Sequence, residues 1–379
     1  MKDITFIHTA DIHLGRPFKY LGEKSKDARS HLYDILDKIS AVAIDKSVDF
    51  VLISGDLFDD PYPSPESISR FMDFADILDL KKIKVVILPG THDLLKDDSV
   101  FSKPIFSILK NVYIFNNLGR SEIDFDDLSL ALYGYASDKN KISESPITGF
   151  LKNDKYKYHI IMAHGSVQIE GKSAKDDSPI EIDDIEKSFA DYIALGHWHQ
   201  NLDFSKGSVS CFYSGSPELI DLDQKKSGFV IYGNLDKKEF IPIKIGERFF
   251  DEMTVDISSM HTIGEIIRSI KLNQNPNLIR KVDIVGEKQK ELFGEDLNSL
   301  KDELSGLFYY LYLDINTEDH FSKLSKKLSD ADSNFSSVEK IYIENLEELI
   351  RESKNIEDKK IYESALEMGY ALLNGKKVL

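Results

Sequence analysis

The chain has 379 residues, of which 41% are hydrophobic and 30% are charged. This length predicts one large domain with appendages rather than a single small module. No apolar run approaches the roughly 20 residues that a membrane crossing needs, and the start lacks a signal-peptide pattern, so we expect a cytoplasmic protein with no membrane partner. The 48 basic and 65 acidic residues give a net charge of −17, which argues against a broad electrostatic surface for polyanions. A localised nucleic-acid site stays compatible with this charge if bound cations or a partner supply the positive field.

The single cysteine, Cys211, limits the chemistry that the chain can use. It permits no internal disulfide and no cysteine-based zinc site, and it fits a reducing cytoplasm. Any metal ion must therefore be held by histidine, aspartate, asparagine or other oxygen ligands.

Short β-rich runs alternate with helical stretches or loops up to about residue 246, which predicts an α/β fold. The predicted strands are Ile4–His8, Phe50–Ser54, Val85–Leu88, Leu128–Tyr133, His159–Ala163, Tyr192–Leu195, Val209–Tyr213 and Gly228–Tyr232. Ser25–Lys46 and Pro65–Leu80 are predicted helices between the first three strands, so we expect these strands to pair in parallel. The later connections are shorter, which predicts either a mixed sheet or a second sheet packed on the first.

The composition changes after Gly246, and the following runs predict a β-α-β-α-β order. These runs are Phe249–Ile257, Thr262–Lys271, Arg280–Val285, Asp296–Leu304 and Phe308–Ile315. We therefore predict a catalytic-sized domain over residues 1–246, a small α/β domain over 247–317 and a charged helical segment over 318–379. The two helices predicted in the last segment, Val338–Ile350 and Asp358–Leu373, either cover the second domain or bind a partner.

Five of the ten histidines lie in short motifs that directly follow apolar runs. The motifs are Asp11-Ile12-His13, Gly90-Thr91-His92-Asp93, Ala163-His164-Gly165 and Gly196-His197-Trp198-His199, and Gly55-Asp56-Leu57-Phe58-Asp59 has the same setting. Strand ends of an α/β sheet converge at one edge, so we expect these side chains to form one site. Histidine and carboxylate ligands suit manganese, iron or zinc, and a shared carboxylate, for which Asp56 is the natural candidate, can hold two ions ~3.5–4 Å apart.

The order of these motifs resembles the calcineurin-like metallophosphoesterase superfamily. Within it, the segments His8–Gly15, Gly55–Asp59 and Ser214–Glu218 are similar to the SbcD-type DNA repair exonucleases, the bacterial relatives of the eukaryotic meiotic recombination nuclease. The resemblance covers about the first 230 residues by motif order, and the later β-α-β-α-β run is a looser match to the capping domain of that family. It implies a metallophosphoesterase β-sandwich with flanking helices, a small α/β capping domain and C-terminal helices.

The resemblance also implies two divalent metal ions, with manganese as the first expectation and iron or zinc as alternatives. It assigns one metal to Asp11, His13, Asp56 and His199, and the other to Asp56, His164 and His197. His92 would be the catalytic imidazole, Asp59 would lie near the substrate phosphate, and Asp93 could accept a hydrogen bond that fixes a histidine tautomer. The chain departs from the pattern at Thr91, where the family has an asparagine that supplies an amide oxygen. Because a hydroxyl is a shorter and poorer donor, Thr91 binds directly, through water or not at all, and we predict a weaker second metal site.

The function implied is that of a manganese-dependent DNA nuclease in double-strand break repair or DNA end processing. A metal-bridging hydroxide would attack phosphorus, and His92 would assist the leaving group. The expected partners are DNA, an SbcC-like ATPase that binds the C-terminal helices, and a second copy of the chain. The basic residues that could line a DNA groove are Arg16, Lys19, Lys96, Lys103, Lys172 and Lys175, with solvated surface charge as the alternative for each.

The residues are also compatible with two other functions. The same metal cage would support a metallophosphoesterase that acts on small phosphoesters, and the acidic surface favours this slightly. A weakly active scaffold that binds partners through its tail helices is the third reading. Two further features are set aside. Gly165–Ser173 resembles a phosphate loop, but five residues separate its glycines where that loop has four, and Trp198 is expected to pack under the site rather than stack on a base.

Overall fold

The computed structural model describes residues 3–169, 178–224, 226–288, 292, 296–318 and 336–373. The chain divides into two compact units, Met1–Phe249 and Phe250–Leu379. Three predicted features lie outside the described residues: the part of the phosphate-loop-like run after Ile169, the lysines Lys172 and Lys175, and residues 319–335 and 374–379 of the predicted tail.

The first unit contains fourteen named strands and three α-helices among its described residues. The strands are β1 (Thr5–Thr9), β2 (Phe50–Ser54), β3 (Lys84–Leu88), β4 (Val112–Ile114), β5 (Gly119–Phe125), β6 (Leu130–Ala136), β7 (Tyr158–His164), β8 (Ser166–Val167), β9 (Pro179–Ile180), β10 (Tyr192–Gly196), β11 (Leu202–Asp203), β12 (Ser210–Tyr213), β13 (Phe229–Asn234) and β14 (Glu239–Lys244). The helices are α1 (Ser25–Asp45), α2 (Pro65–Asp79) and α3 (Ile182–Glu186).

The first sheet has the strand order β14-β13-β1-β2-β3-β4. Strands β1 to β4 are parallel, as expected from the helical connections α1 and α2, and β13 pairs antiparallel with β1. β1 and β2 are buried along their whole length because both faces of this sheet are covered. The predicted parallel pairing of the first three strands is confirmed.

The second sheet has the order β11-β12-β10-β7-β6-β5, with four parallel strands between two antiparallel edges. Strands β2 and β3 of the first sheet contact β6, β7 and β10 of the second. Aromatic rings fill part of this interface: Phe6 of β1 meets Tyr192 of β10 edge-on, with 4.8 Å between ring centroids. The unit is therefore a sandwich of two mixed sheets, so both alternatives that the short connections left open are realised.

Local sequence explains where the two long helices lie. The apolar residues of α1 recur at helical spacing and are buried, among them Leu32, Ile35 and Ile39. α2 begins at Pro65 because the hydroxyl of Ser64 accepts a hydrogen bond from the amide of Ser67 at 3.2 Å, and proline fits the first helical position.

The buried carboxylate of Glu218 holds together several segments of the first unit. Glu218 is 1% exposed and accepts hydrogen bonds from the amides of Leu219, Glu247 and Arg248 at 2.8, 3.1 and 3.1 Å. His31 of α1 lies 2.9 Å away through Nε2. Glu218 thus fastens the last residues of the unit to α1 and to the loop that follows β12.

The second unit contains a three-stranded sheet and four described α-helices. Its elements are β15 (Phe249–Asp256), α4 (Ile263–Ile270), β16 (Leu278–Glu287), α5 (Ser299–Leu304), β17 (Tyr310–Glu318), α6 (Ser337–Glu352) and α7 (Ile356–Leu373). β16 and β17 pair in parallel, and α4 begins with a capping box in which Thr262 and Glu265 satisfy each other's backbone amides. α6 and α7 form a hairpin around Ile343 and Leu366. None of the helices in the described part of the chain is long and apolar enough to span a membrane.

Several strands of the first unit were not predicted from the sequence, and all of them are short or lie at the edge of a sheet. β5 reads Gly-Arg-Ser-Glu-Ile-Asp-Phe, which is too polar to stand out, and β14 is the exposed edge of the first sheet. An edge strand buries one face at most, so its hydrophobic signal is weak.

Candidate metal centre

The predicted site residues gather where strands of both sheets end. Asp11 and His13 follow β1, Asp56 follows β2, and Thr91 and His92 follow β3. In the second sheet His164 is the last residue of β7, and His197 and His199 follow β10. Because these five strands are all parallel within their sheets, their carboxyl ends meet on one side of the sandwich.

Backbone hydrogen bonds fix the loops that carry these residues. The amides of Asp11, His13 and Leu14 donate to the carbonyls of Gly55, Asp56 and Leu57 at 3.1, 3.0 and 2.9 Å. The segment after β1 therefore runs alongside the segment after β2, and the Asp11 and Asp56 motifs keep a fixed register.

Four of the site residues have left-handed backbone angles that are unfavourable for side chains other than glycine. The φ angles are 53° at Asp11, 54° at His13, 51° at Asp56 and 103° at His197. Such conformations cost about 1–3 kcal/mol each and persist where surrounding contacts enforce them. Here the carboxylates supply those contacts: His197 N donates to Asp11 Oδ1 at 2.9 Å, and His92 N donates to Asp56 Oδ1 at 2.8 Å.

Gly55 is required at its position for two reasons. Its φ of 95° lies in the region that glycine tolerates best, and a Cβ atom there would overlap the imidazole of His164. The glycine before Asp56 thus lets the β7 histidine approach the carboxylate.

Three groups of side chains offer donor atoms within 4.8 Å of one another. They are Asp11 with His13 and His199, His13 with Asp56 and His92, and Asp11 with Asp56 and His164. Every member except His199 and His92 is buried. Oxygen and imidazole donors at this density form a set that divalent transition metals bind.

His13 provides the sharpest test of whether these residues fit a metal ion. The ring is fully buried, and its Nδ1 lies 3.0 Å from Asp59 Oδ1. Its other nitrogen, Nε2, is buried and has no hydrogen-bond partner among the described residues, and it faces Asp56 Oδ2 at 3.7 Å. A buried nitrogen without a partner is costly unless something binds it, and a carboxylate on Nδ1 is the arrangement that orients a metal-binding histidine. The residues present therefore fit a divalent metal.

His164 and Thr91 stand on the other side of Asp56. His164 Nδ1 lies 3.0 Å from the carbonyl of Ser54, which leaves Nε2 toward Asp56 Oδ2 at 3.2 Å. The Thr91 hydroxyl lies 3.4 Å from both Asp56 Oδ2 and His164 Nε2. The ring of His197 is 5.2 Å from that of His164, although His197 belongs to none of the three close donor groups.

A chain of polar contacts links the two histidines on the Asp11 side. Arg16 donates to Asp59 Oδ1 at 3.1 Å and to Asp221 Oδ1 at 2.5 Å. Asp221 Oδ2 in turn lies 3.6 Å from His199 Nδ1, and the side-chain nitrogen of Gln224 lies 2.7 Å from the same ring atom. Asp59 and Asp221 thus orient His13 and His199, and Arg16 joins them. Arg16 was a candidate for lining a DNA groove, but its guanidinium forms ion pairs with Asp59 and Asp221.

The electrostatics of the buried groups follow from their neighbours. Burial alone would raise the pKa of Asp56, but the adjacent rings of His164 and His13 lower it well below its usual range. Burial opposes charge on His164, yet the carboxylates of Asp56 and Asp11 raise its pKa to about 9. For His13 burial prevails and lowers the pKa, despite the hydrogen bond to Asp59. Partial burial opposes charge on His199 too, yet contact with Asp221 and the charge of Asp11 raise its pKa.

Asp93 and His92 have different surroundings. Asp93 was expected to fix a histidine tautomer. Its oxygens accept hydrogen bonds from the amides of Gly90 and Phe58 at 2.7 and 3.1 Å, and the carboxylate at Nδ1 of His13 is that of Asp59. Burial and the nearby charge of Asp56 raise the pKa of Asp93 to about 7. The side chain of His92 is 47% exposed, and its Nδ1 lies 3.3 Å from the carbonyl of Asp59.

Asp221 and Gln224 were not predicted as site residues from the sequence. Both follow the Ser214–Glu218 segment, but neither lies in a histidine motif or at the end of a predicted strand. Their position against His199 depends on tertiary packing, so spacing along the chain gave no signal for them. Trp198 packs as expected: it stacks on Tyr213 with 5.2 Å between centroids and donates to Ser166 Oγ at 3.2 Å.

Comparison with known families agrees with this geometry. The sequence profile of the calcineurin-like phosphoesterases matches residues 4–201, just over half of the chain. The chain belongs to the calcineurin-like phosphoesterase family, a family of hydrolases that bind divalent metals.

The chain is also similar to individual proteins of known name. The chain is 28% identical over 334 residues to the DNA double-strand break repair protein Mre11 of Methanococcus maripaludis, covering 80% of this chain and 82% of that protein. It is also 28% identical over 315 residues to the protein of the same name from Methanocaldococcus jannaschii, covering 79% and 80%. The metallophosphoesterase YhaO of Bacillus subtilis is 30% identical over 227 residues, which is 58% of this chain and 54% of YhaO, so the chain matches about half the length of that relative.

Proposed function

We propose that this protein is a two-metal phosphodiesterase acting on DNA, as a manganese-dependent nuclease in double-strand break repair or end processing. The observation that carries the metal site is the buried Nε2 of His13 beside Asp56, which has no hydrogen-bond partner in the part of the chain that the structure describes. It belongs to a cluster that also includes Asp11, His164 and His199. The similarity to Mre11 proteins over about four fifths of the chain supports DNA as the substrate.

Asp11, His13, Asp56 and His199 would hold one ion, and Asp56, His164 and His197 the other, with Thr91 beside the second. When bound, two such ions act as Lewis acids and make a coordinated water more acidic. The protein's own groups bind and orient the reacting phosphodiester. His92 would transfer the proton, which is supported by its exposed ring and by the carbonyl of Asp59 3.3 Å from its Nδ1.

The expected partners, an SbcC-like ATPase and a second copy of the chain, stay predictions. The hairpin of α6 and α7 is the segment we expect to bind the ATPase, and it exposes apolar side chains such as Ile341 and Ile361, which are 60% and 62% exposed. Cytoplasmic location is likewise an expectation.

The test is digestion of end-labelled single-stranded and double-stranded DNA in the presence and absence of Mn²⁺. Asp56→Asn is the control for contaminating nuclease, because it removes the carboxylate shared by both proposed sites. We expect Mn²⁺-dependent cleavage by the wild type and none by the variant. Intact DNA after incubation with a metal-loaded wild-type protein would contradict the proposal.

Hydrolysis of small phosphoesters is the second candidate, and the net charge of −17 favours it because an acidic surface repels DNA. A substrate panel with Mn²⁺ separates the two candidates. A protein that hydrolyses nucleoside monophosphates and aryl phosphates but no DNA would support the second.

A further inference from the structure

A cavity of about 440 Å³ lies beside the metal centre, between the start of α1 and the segment that leads into α2. It shares a wall with the centre, because Asp59, which orients His13, lines both. Gly15, two residues after His13, lines it as well. A volume of this size accommodates one nucleotide, since small-molecule sites span roughly 300–1,000 Å³.

The α1 side of the cavity is positively charged. Lys26 and Arg29 line it, are exposed, and stand three residues apart, which places them on one face of the helix. Neither takes part in an ion pair within the described residues, whereas Arg16 nearby is bound to two carboxylates. The acidic residue of the same turn, Asp27, pairs with Arg248 at 3.2 Å. The positive end of the α1 dipole adds to the field of the two cations.

The side of the cavity that residues 59–66 form is polar and carries an aromatic ring. Tyr62 is 52% exposed, and its hydroxyl donates to Asp98 at 2.9 Å, which holds the ring in place. The acidic groups on this side are partly engaged: Asp59 contacts His13 and Arg16, and Asp60 accepts from the amide of Tyr62 at 2.7 Å. Glu66 lies in the first turn of α2, where the helix dipole compensates its charge.

We propose that this cavity binds the nucleotide next to the scissile phosphodiester, with Lys26 and Arg29 on its phosphate and Tyr62 against its base. Cations on one wall and an aromatic ring on the other are the two elements that bind single-stranded nucleic acids without reading sequence. This inference rests on the proposed function and makes its substrate more specific: a strand with at least two linked nucleotides rather than an isolated phosphoester.

The experiment compares two substrates of the full-length, Mn²⁺-loaded protein. Bis(p-nitrophenyl) phosphate reaches only the metal centre, whereas a fluorescein-labelled oligothymidylate also reaches the cavity. The Lys26→Gln/Arg29→Gln double variant should lower the ratio of kcat/KM for the oligonucleotide to kcat/KM for the small diester about tenfold, or ~1.4 kcal/mol. The matched control is Lys81→Gln/Lys82→Gln, which removes two exposed lysines beyond the end of α2 and should keep the wild-type ratio.

Binding of the same oligonucleotide, followed by fluorescence anisotropy in Ca²⁺, gives a readout independent of turnover. The double variant should reduce the slope of log K against log salt by about 0.7 for each lost phosphate contact. Tyr62→Leu should weaken binding about tenfold, and more than Tyr62→Phe, because stacking on a base contributes ~1–3 kcal/mol. Equal effects of the two tyrosine variants would overturn the role of the ring.

The outcomes separate the two proposals. If the wild type cleaves the oligonucleotide and the double variant keeps both the wild-type ratio and the wild-type salt slope, the cavity assignment is wrong and the nuclease function stands. If the wild type hydrolyses the diester but leaves the oligonucleotide intact, the proposed function fails, and the nucleotide site with it.

Discussion

The Nδ1 atom of His13 lies 3.0 Å from the Oδ1 atom of Asp59, and this contact directs the opposite ring nitrogen into the cluster around Asp56. Asp59 was expected near a substrate phosphate. Its contacts with His13 and Arg16 give it a supporting part in the metal centre as well.

Replacement of Asp59 by Asn should therefore weaken metal binding. An amide carries no charge and supports the imidazole ligand less strongly, and loss of such a partner typically lowers metal affinity about 10–100-fold. Calorimetric titration of the metal-free protein with Mn²⁺ measures this. Asp60→Asn, at the exposed neighbouring position, is the control and should bind as the wild type does. Identical affinities of the Asp59 variant and the wild type would contradict the role.

Thr91→Asn should strengthen the second metal site. The hydroxyl of Thr91 already lies 3.4 Å from both Asp56 Oδ2 and His164 Nε2, and an asparagine would bring an amide oxygen to this place. Manganese titration should show tighter binding of the second ion, with the first ion unchanged. Thr91→Ser keeps the hydroxyl and should behave as the wild type. Equal second-site affinity in the Asn variant and the wild type would count against the idea.

His92→Ala should keep both metals and lose turnover. A positioned proton donor contributes about 10²–10⁴-fold to rate, so kcat should fall by that factor. His92 also lies in a donor group with His13 and Asp56, so it could bind a metal instead. The number of metal ions bound by the variant distinguishes these two roles. Loss of a metal would identify His92 as a ligand instead, and full turnover with both metals bound would refute any catalytic role.

Removal of the metals should lower thermal stability. Asp11, Asp56 and His164 are buried, and without a cation their charges and lone pairs face one another in a site shielded from water. Addition of Mn²⁺ at a thousandfold excess over its Kd should raise the unfolding free energy by about 4 kcal/mol relative to the chelated protein. Scanning calorimetry with EDTA and with Mn²⁺ checks this. In Asp56→Asn the rise with Mn²⁺ should largely vanish, and an equal rise in that variant would place the stabilising ion elsewhere.

His8 should make folding stability depend on pH. Burial in the sandwich lowers the pKa of His8 to about 3, and its Nδ1 lies 3.0 Å from the Tyr192 hydroxyl. Because an unfolded histidine titrates near ~6.5, the unfolded chain takes up a proton below that pH which the folded chain does not. The contribution of the neutral His8 ring to folding stability is complete above pH ~6.5. As the pH falls toward 3, the free energy of unfolding decreases by up to ~1.4 kcal/mol per pH unit.

Denaturant unfolding of the chelated protein at several pH values measures this slope. His8→Gln should reduce the slope in that window by about one proton, and His261→Gln, at an exposed position, should not. An unchanged slope in His8→Gln would show that His8 is not the group responsible.

The sequence predicted most of what positions the site, and the reasons are physical. β1, β2 and β3 are fully or almost fully buried, so they form apolar runs that end where the polar motifs begin, and pattern analysis finds them within one residue. The edge strands β5 and β14 mix polar and apolar residues and were missed. The contacts of Asp59 with His13 and of Gln224 with His199 join residues 46 and 25 positions apart, and no local pattern encodes them.

The anchoring of residues 247 and 248 by Glu218 bears on how the protein can be shortened. A chain cut after Phe249 keeps the amides of Glu247 and Arg248, which donate hydrogen bonds to Glu218. It also keeps the guanidinium of Arg248, which pairs with Asp27. A chain cut at residue 246, where the composition changes, would lack two of the amides that donate to the buried carboxylate of Glu218. Each lost hydrogen bond should lower the free energy of unfolding by about 1–3 kcal/mol. The three residues from Glu247 to Phe249 therefore belong in any isolated phosphoesterase fragment intended for crystallisation or calorimetry.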